Sequence, residues 1–152
     1  MPTPTGPTIR DLTQDQSLAL LRRRNVGRIA FSLRDRVDIE PINYVSDGSW
    51  IFGRTSKGTK LSTLLHNPWC AFETDEFTDM FEWSSVVVKG AFSLLDPEVG
   101  SPDTYRRAEG LLRTLVPGTF TAHDPMPHRD IIFGIFVDTI TGKASRHGSG
   151  GQ

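Results

Sequence analysis

The sequence predicts a mainly β domain: a small, six-stranded antiparallel Greek-key barrel with short flanking helices. Five or six short segments rich in β-branched and aromatic residues are joined by hairpin-type turns. The helical segments between them are short, and the βαβ alternation of a parallel sheet is missing. At 152 residues the chain is about one domain's worth, large enough to bury a core and too short for a second full domain.

Residues 1–10 are Pro- and Thr-rich and read as a flexible arm ahead of a barrel domain over residues 11–141. Thr13-Gln14-Asp15-Gln16 is a capping box, and Leu18 and Leu21 follow at helical spacing, so a helix of about three turns starts here. Past Gly27 the period shifts to that of a strand. Residues 28–33, a turn at 34–36 and residues 37–45 form a hairpin, in which Pro41 implies a sheet edge or a bulge because proline has no N–H to donate. Ser46-Asp47-Gly48-Ser49 is a second turn, and Trp50-Ile51-Phe52 a third strand. Residues 59–65 read as a short helix ended by Asn67-Pro68. Residues 69–73 and 83–95 are strands, residues 103–115 an amphipathic helix stopped by Pro117-Gly118, and residues 131–137 a last buried strand. The intervening residues 119–129 are a polar, Pro-rich loop, and residues 142–152 read as a disordered tail.

Seventeen Lys and Arg nearly cancel eighteen Asp and Glu, so the net charge of −1 gives no electrostatic reason to expect a nucleic acid or an anionic membrane as partner. The charge is nonetheless uneven. Residues 1–60 hold ten bases against six acids, and residues 61–152 seven against twelve. Arg22-Arg23-Arg24 suits the negative end of a helix dipole, and the acidic run Glu73, Asp75, Glu76, Asp79, Glu82 reads as a solvated face or loop charge. The longest apolar stretch, residues 131–137, is far short of the ~20 residues of a membrane span. With no secretory signal and a single cysteine, Cys70, a cytoplasmic location is expected.

The common catalytic motifs are missing. There is no Gly-x-Ser-x-Gly elbow between a strand and a helix, no CxxC and no HExxH. His123 and His128 sit in the Pro-rich loop without a carboxylate-rich strand to hold them as a metal site; His66 reads as a cap or surface residue, and Cys70, in an apolar strand, as a small hydrophobe. Two segments carry chemistry. Gly53-Arg54-Thr55-Ser56-Lys57-Gly58-Thr59-Lys60 lies between a strand and a helix; it misses the Walker A order, yet its hydroxyls, cations and helix-start amides suit a phosphate. The bland alternative is a polar surface turn. Trp83-Ser84-Ser85 opens a strongly β-branched strand, where the indole is either a core or interface plug or a ligand contact.

Taken in order, Gly27-Arg28-Ile29-Ala30-Phe31, Pro41-Ile42-Asn43-Tyr44-Val45, Phe52-Gly53-Arg54-Thr55 with Gly58-Thr59-Lys60-Leu61, Asn67-Pro68 with Ala71-Phe72-Glu73, and Trp83 through Gly90 resemble the pyridoxamine 5′-phosphate oxidase-like flavin split-barrel superfamily. The branch they resemble most contains the nitroimidazole-resistance proteins. The resemblance implies a six-stranded split barrel, a homodimer, and FMN held in the dimer interface, with the deazaflavin F420 or haem as the alternatives found on the same barrel. Carried over by position, Arg54, Thr55, Ser56 and Lys60 would hold the FMN phosphate, Pro41, Ile42, Asn43 and Tyr44 would line the isoalloxazine through backbone groups, and Trp83 with Ser84 would come from the partner subunit. The implied activity is a flavin-dependent oxidoreductase that passes electrons between a nicotinamide donor and a small planar substrate. The alternative is a flavin, deazaflavin or haem carrier without turnover. The chain ends Ser145-Arg146-His147-Gly148 where true pyridoxamine-phosphate oxidases carry a substrate-gripping arginine segment, so that particular activity is not expected.

Overall fold

The computed structural model describes residues 6–148, with eight strands and three helices in the order β1 (Thr8–Asp11), α1 (Gln14–Arg23), β2 (Val26–Leu33), β3 (Arg36–Asn43), β4 (Val45–Ser46), β5 (Trp50–Thr55), α2 (Thr59–His66), β6 (Trp69–Asp79), β7 (Glu82–Leu95), α3 (Pro102–Leu115) and β8 (Ile131–Arg146). All strand pairings are antiparallel, in the order β3-β2-β6-β7-β8-β5-β4, and β1 adds to β8. The six longer strands are those expected; β1 and β4 are short additions of four and two residues.

Tyr44 explains why this sheet curls into a barrel. The two ends of the strand order, β3 and β4, are consecutive in sequence with Tyr44 alone between them, so the chain itself crosses the split. Its side chain is fully buried, its hydroxyl donates to the Leu21 carbonyl at 2.7 Å, and its ring meets Phe72 edge-on at 4.7 Å. Its backbone N–H donates to the Asn25 carbonyl at 2.9 Å. Around it Leu20, Leu21, Ile29, Ile51, Val86 and Ile135 form the main core. A second cluster, Val45, Phe52, Ala108, Leu112 and Ile132, lies under α3.

Local signals explain the helices. Thr13 caps α1 as anticipated: its hydroxyl accepts from the Gln16 N–H at 3.1 Å, and its own N–H donates to the Gln16 side chain at 3.0 Å. α3 starts at Ser101 with Pro102 in its first turn, and Leu112 is buried. β3 is an edge strand, one of the two alternatives that Pro41 implied.

The chain ends correct the expected boundaries. Residues 8–10, read as part of a flexible arm, pair as β1 with residues 144–146; residues 142–146, read as a disordered tail, are the end of β8. Of both segments, residues 1–5 and 149–152 lie outside the described residues. Composition misled because Gly142 marks close packing: a Cβ there would stand 2.6 Å from the Ser17 hydroxyl, and β7 is long enough to pair with the extension as far as Ser145. β6 likewise runs on through the acidic run to Asp79. Among the described residues no helix is long and apolar enough to cross a membrane.

Candidate functional site

The strand-to-helix segment after β5 sorts its polar residues into two environments. Arg54 turns inward, and its side chain is only 7% exposed. Four of its five N–H donors are taken. Nε donates to the Arg129 carbonyl at 2.9 Å, Nη2 to the Met126 carbonyl at 3.1 Å, and both terminal nitrogens to Asp124, at 2.6 and 3.2 Å. Its guanidinium lies over the Phe120 ring at 4.5 Å. Asp124 is equally saturated, since the Phe120 and Met126 N–H groups also donate to it, and these bonds hold its carboxyl well below the usual range, at about 2. Phe120 adopts a left-handed backbone with φ 61°, a conformation that the surrounding contacts must enforce. Arg54, expected at the phosphate, here ties down the loop between α3 and β8, and a phosphate could reach its guanidinium only by displacing Asp124.

The remainder of the segment faces outward. Thr55 is buried, with its hydroxyl on the Ser56 carbonyl at 3.3 Å, whereas Ser56 is half-buried and its side chain has no hydrogen-bond partner among the described residues. Gly58 is the N-cap of α2 and supplies no side-chain cap. The first-turn amides of α2 thus lack the usual hydroxyl or carboxylate acceptor. Lys57 is exposed, and Lys60 bonds Glu40 of β3 at 3.1 Å. That ion pair brings Lys60 beside Pro41. Because β3 is an edge, half of its backbone N–H and C=O groups face away from β2. Pro41 and Asn43 are exposed there, while Ile42 and Tyr44 point into the core, and the backbone groups of Tyr44 are already engaged with Asn25. The backbone role expected of residues 41–44 accordingly rests on 41–43.

Trp83 and Ser84 stand elsewhere. Trp83 pairs with Ser145 and stacks on Phe77 at 5.7 Å, whereas Arg54 pairs with Ile132; Ile132 and Ser145 are at opposite ends of the sixteen-residue β8. One chain joins residues 41–43 to 56–60 but does not bring Trp83 and Ser84 to them. Phe77 is 63% exposed, as is the nearby hairpin-tip residue Met80 at 77%.

A cavity of about 200 Å³ adjoins Asn43 and Arg54 and is bounded by α3 and by the loop that Arg54 holds. Neither Asp124 nor Arg129 stands out in the sequence; the one available signal is Asp124-Pro125 within a polar loop, which reads as a turn. The histidines are all exposed, and among the described residues no cluster of His, Cys, Asp and Glu could hold a metal ion. Cys70 is buried, and desolvation pushes its thiol up to about 12, as fits an inert core residue.

Known proteins share this architecture. A FAD-binding protein from Mesorhizobium loti superposes with a TM-score of 0.75 at 20% identity, covering 93% of this chain and all (100%) of that one. A proposed 5-nitroimidazole antibiotic resistance protein from Bacteroides thetaiotaomicron matches with a TM-score of 0.69 at 14% identity, over 92% of this chain and 89% of its own. A FAD and haem binding protein from Mycobacterium smegmatis gives 0.69 at 14%, over 91% and 74%. These likenesses establish the fold. The profile of the family described as pyridoxamine 5′-phosphate oxidase matches residues 13–144, nearly the whole described chain, and the protein belongs to that family.

Proposed function

We propose that the protein is a flavin-dependent oxidoreductase whose site is completed by a second copy of the chain. The observation that carries this reading is the α2 start: amides without a side-chain cap follow the unpartnered Ser56 hydroxyl and the exposed Lys57, and Lys60, through Glu40, stands beside the open backbone edge of residues 41–43. Donors and cations in that arrangement suit a phosphate, and an edge strand suits a flat heterocycle with hydrogen-bonding groups on its rim. Several fold relatives are described as FAD-binding, which supports a flavin; the single phosphate cluster favours FMN.

In this reading Ser56, Lys60 and the α2 amides hold the phosphate, residues 41–43 orient the ring, and Arg54 acts on the site only through the loop it fixes. Trp83 and Ser84 come from the partner, because the exposed Phe77–Trp83 stack is remote from the phosphate segment of its own chain. A bound flavin supplies the electron transfer, from a nicotinamide donor to a small planar substrate, and the protein supplies binding, orientation and access.

The test is a titration of the purified protein with FMN, FAD, deazaflavin and haem, followed by absorption and tryptophan fluorescence. FMN is expected to bind saturably and to bleach with a reduced nicotinamide. Lys60→Ala is expected to weaken FMN by roughly 1.5–3 kcal/mol, the loss of a charge-assisted bond. Equal FMN affinity in the variant would overturn the phosphate assignment; tighter binding of haem or deazaflavin would replace the cofactor.

A further inference from the structure

We infer that the cavity under α3 is a binding site for a small single-ring organic acid, with Arg129 as its anion-reading residue. The cavity has an apolar wall, formed by Leu112 and Leu115 of α3 and by Met126, and a polar side formed by Asn25, Asn43 and Arg129. Its volume of about 200 Å³ sets the size of the ligand. An apolar cavity of roughly 150 Å³ accepts benzene, and drug-sized ligands need ~300 Å³ or more, so one ring with a small substituent fits.

Charge sets the chemistry. Two arginines line the cavity, and the one carboxylate bonded within this cluster, Asp124, is already spent on Arg54. Arg129 is half-buried, and its guanidinium makes no ion pair or hydrogen bond among the described residues. One positive charge is therefore left over beside an apolar wall, a combination that rewards an anion with an apolar body. Asn43 is exposed and its amide is likewise free of protein partners among the described residues. The site is also built: Arg54 bonds the carbonyls of Met126 and Arg129, the two loop residues that line it, so a deeply buried guanidinium holds the wall in place. That the acid lies next to the flavin, through Asn43, rests on the proposed function; the ligand preference does not.

The test titrates the protein with benzoate and with the neutral benzyl alcohol, in the absence and in the presence of FMN, by calorimetry. Benzoate is expected to bind saturably and roughly tenfold or more tighter than the alcohol, and Arg129→Gln to abolish that difference. Leu115→Trp, which fills the cavity from the helix side, is expected to weaken both ligands. Benzoate that fails to bind, binds no better than the alcohol, or is indifferent to Arg129→Gln overturns the inference. The two readings fail separately: benzoate binding without FMN binding sinks the flavin site alone, and FMN binding without benzoate binding in either state sinks the acid site alone.

Discussion

Two sets of arginine–carboxylate pairs in this molecule use the same chemistry in different media. Arg54 and Asp124 meet in the interior, with side chains 7% and 3% exposed, and every oxygen lone pair direction that matters is filled by an N–H. On the barrel exterior Arg23 and Arg24 meet Glu76, and a single nitrogen of Arg28 meets Glu73 and Asp75, both at 3.0 Å. In the interior the alternative to the pair is an unpaired buried charge; outside it is water. The inner pair fixes a loop, whereas the outer pairs mainly let the acidic strand β6 lie beside the basic end of α1 and beside Arg28 of β2.

The largest effect expected from breaking this contrast is at Arg54. Arg54→Ala is expected to cost roughly 3–5 kcal/mol, read as the loss of stability in denaturant unfolding, and to speed proteolysis in residues 119–130. Acid sharpens the point. Asp124 is depressed to about 2, so its contribution is complete above the ordinary carboxylate range and is lost as pH falls toward 2. Asp124→Asn is expected to flatten that acid limb in a stability–pH profile.

The outer group gives a pH effect of the opposite sign. Burial first, and then the neighbouring Asp75, push the Glu73 carboxyl up to about 7 against the pull of Arg28. The folded state then holds its proton more tightly than the unfolded state does, so stability is greatest below the usual carboxyl range and falls as pH rises toward 7. Glu73→Gln is expected to remove this fall, with variant and parent differing more at pH 8 than at pH 5 in thermal melts. Smallest is Arg23→Ala. Its side chain is 52% exposed, and the loss is expected to stay below about 1 kcal/mol and to shrink further at high salt.

The same contrast explains what the sequence made legible. The six longer strands, the Thr13 cap and the edge position of β3 are local properties, written in alternation, a capping box and Pro41. The pairing of the basic run with the acidic run is not local: Arg23 and Glu76 are joined only because α1 packs against β6, β7 and β8. For the proposed site, residues 56–60 draw attention by their own chemistry. Arg54 could not, because its partner, Asp124, lies in a loop whose Pro-rich composition suggested only irregular chain, and burial alone separates a ligand arginine from a structural one. β1 and the end of β8 escaped notice for a related reason. Each is a polar strand stabilised by its partner, and Gly142 is required by the approach of α1 although it resembles tail composition.

The proposed flavin site draws on two chains, and the most direct measurement of this is complementation between variants. Lys60→Ala and Trp83→Ala chains, each deficient in FMN binding alone, are mixed, allowed to exchange subunits and titrated with FMN. In a mixed dimer one site receives both altered residues and the other neither, so tight FMN binding should return at one site per mixed dimer. If Trp83→Ala binds FMN as the parent does, or if mixing restores no tight binding, the two-chain site is contradicted.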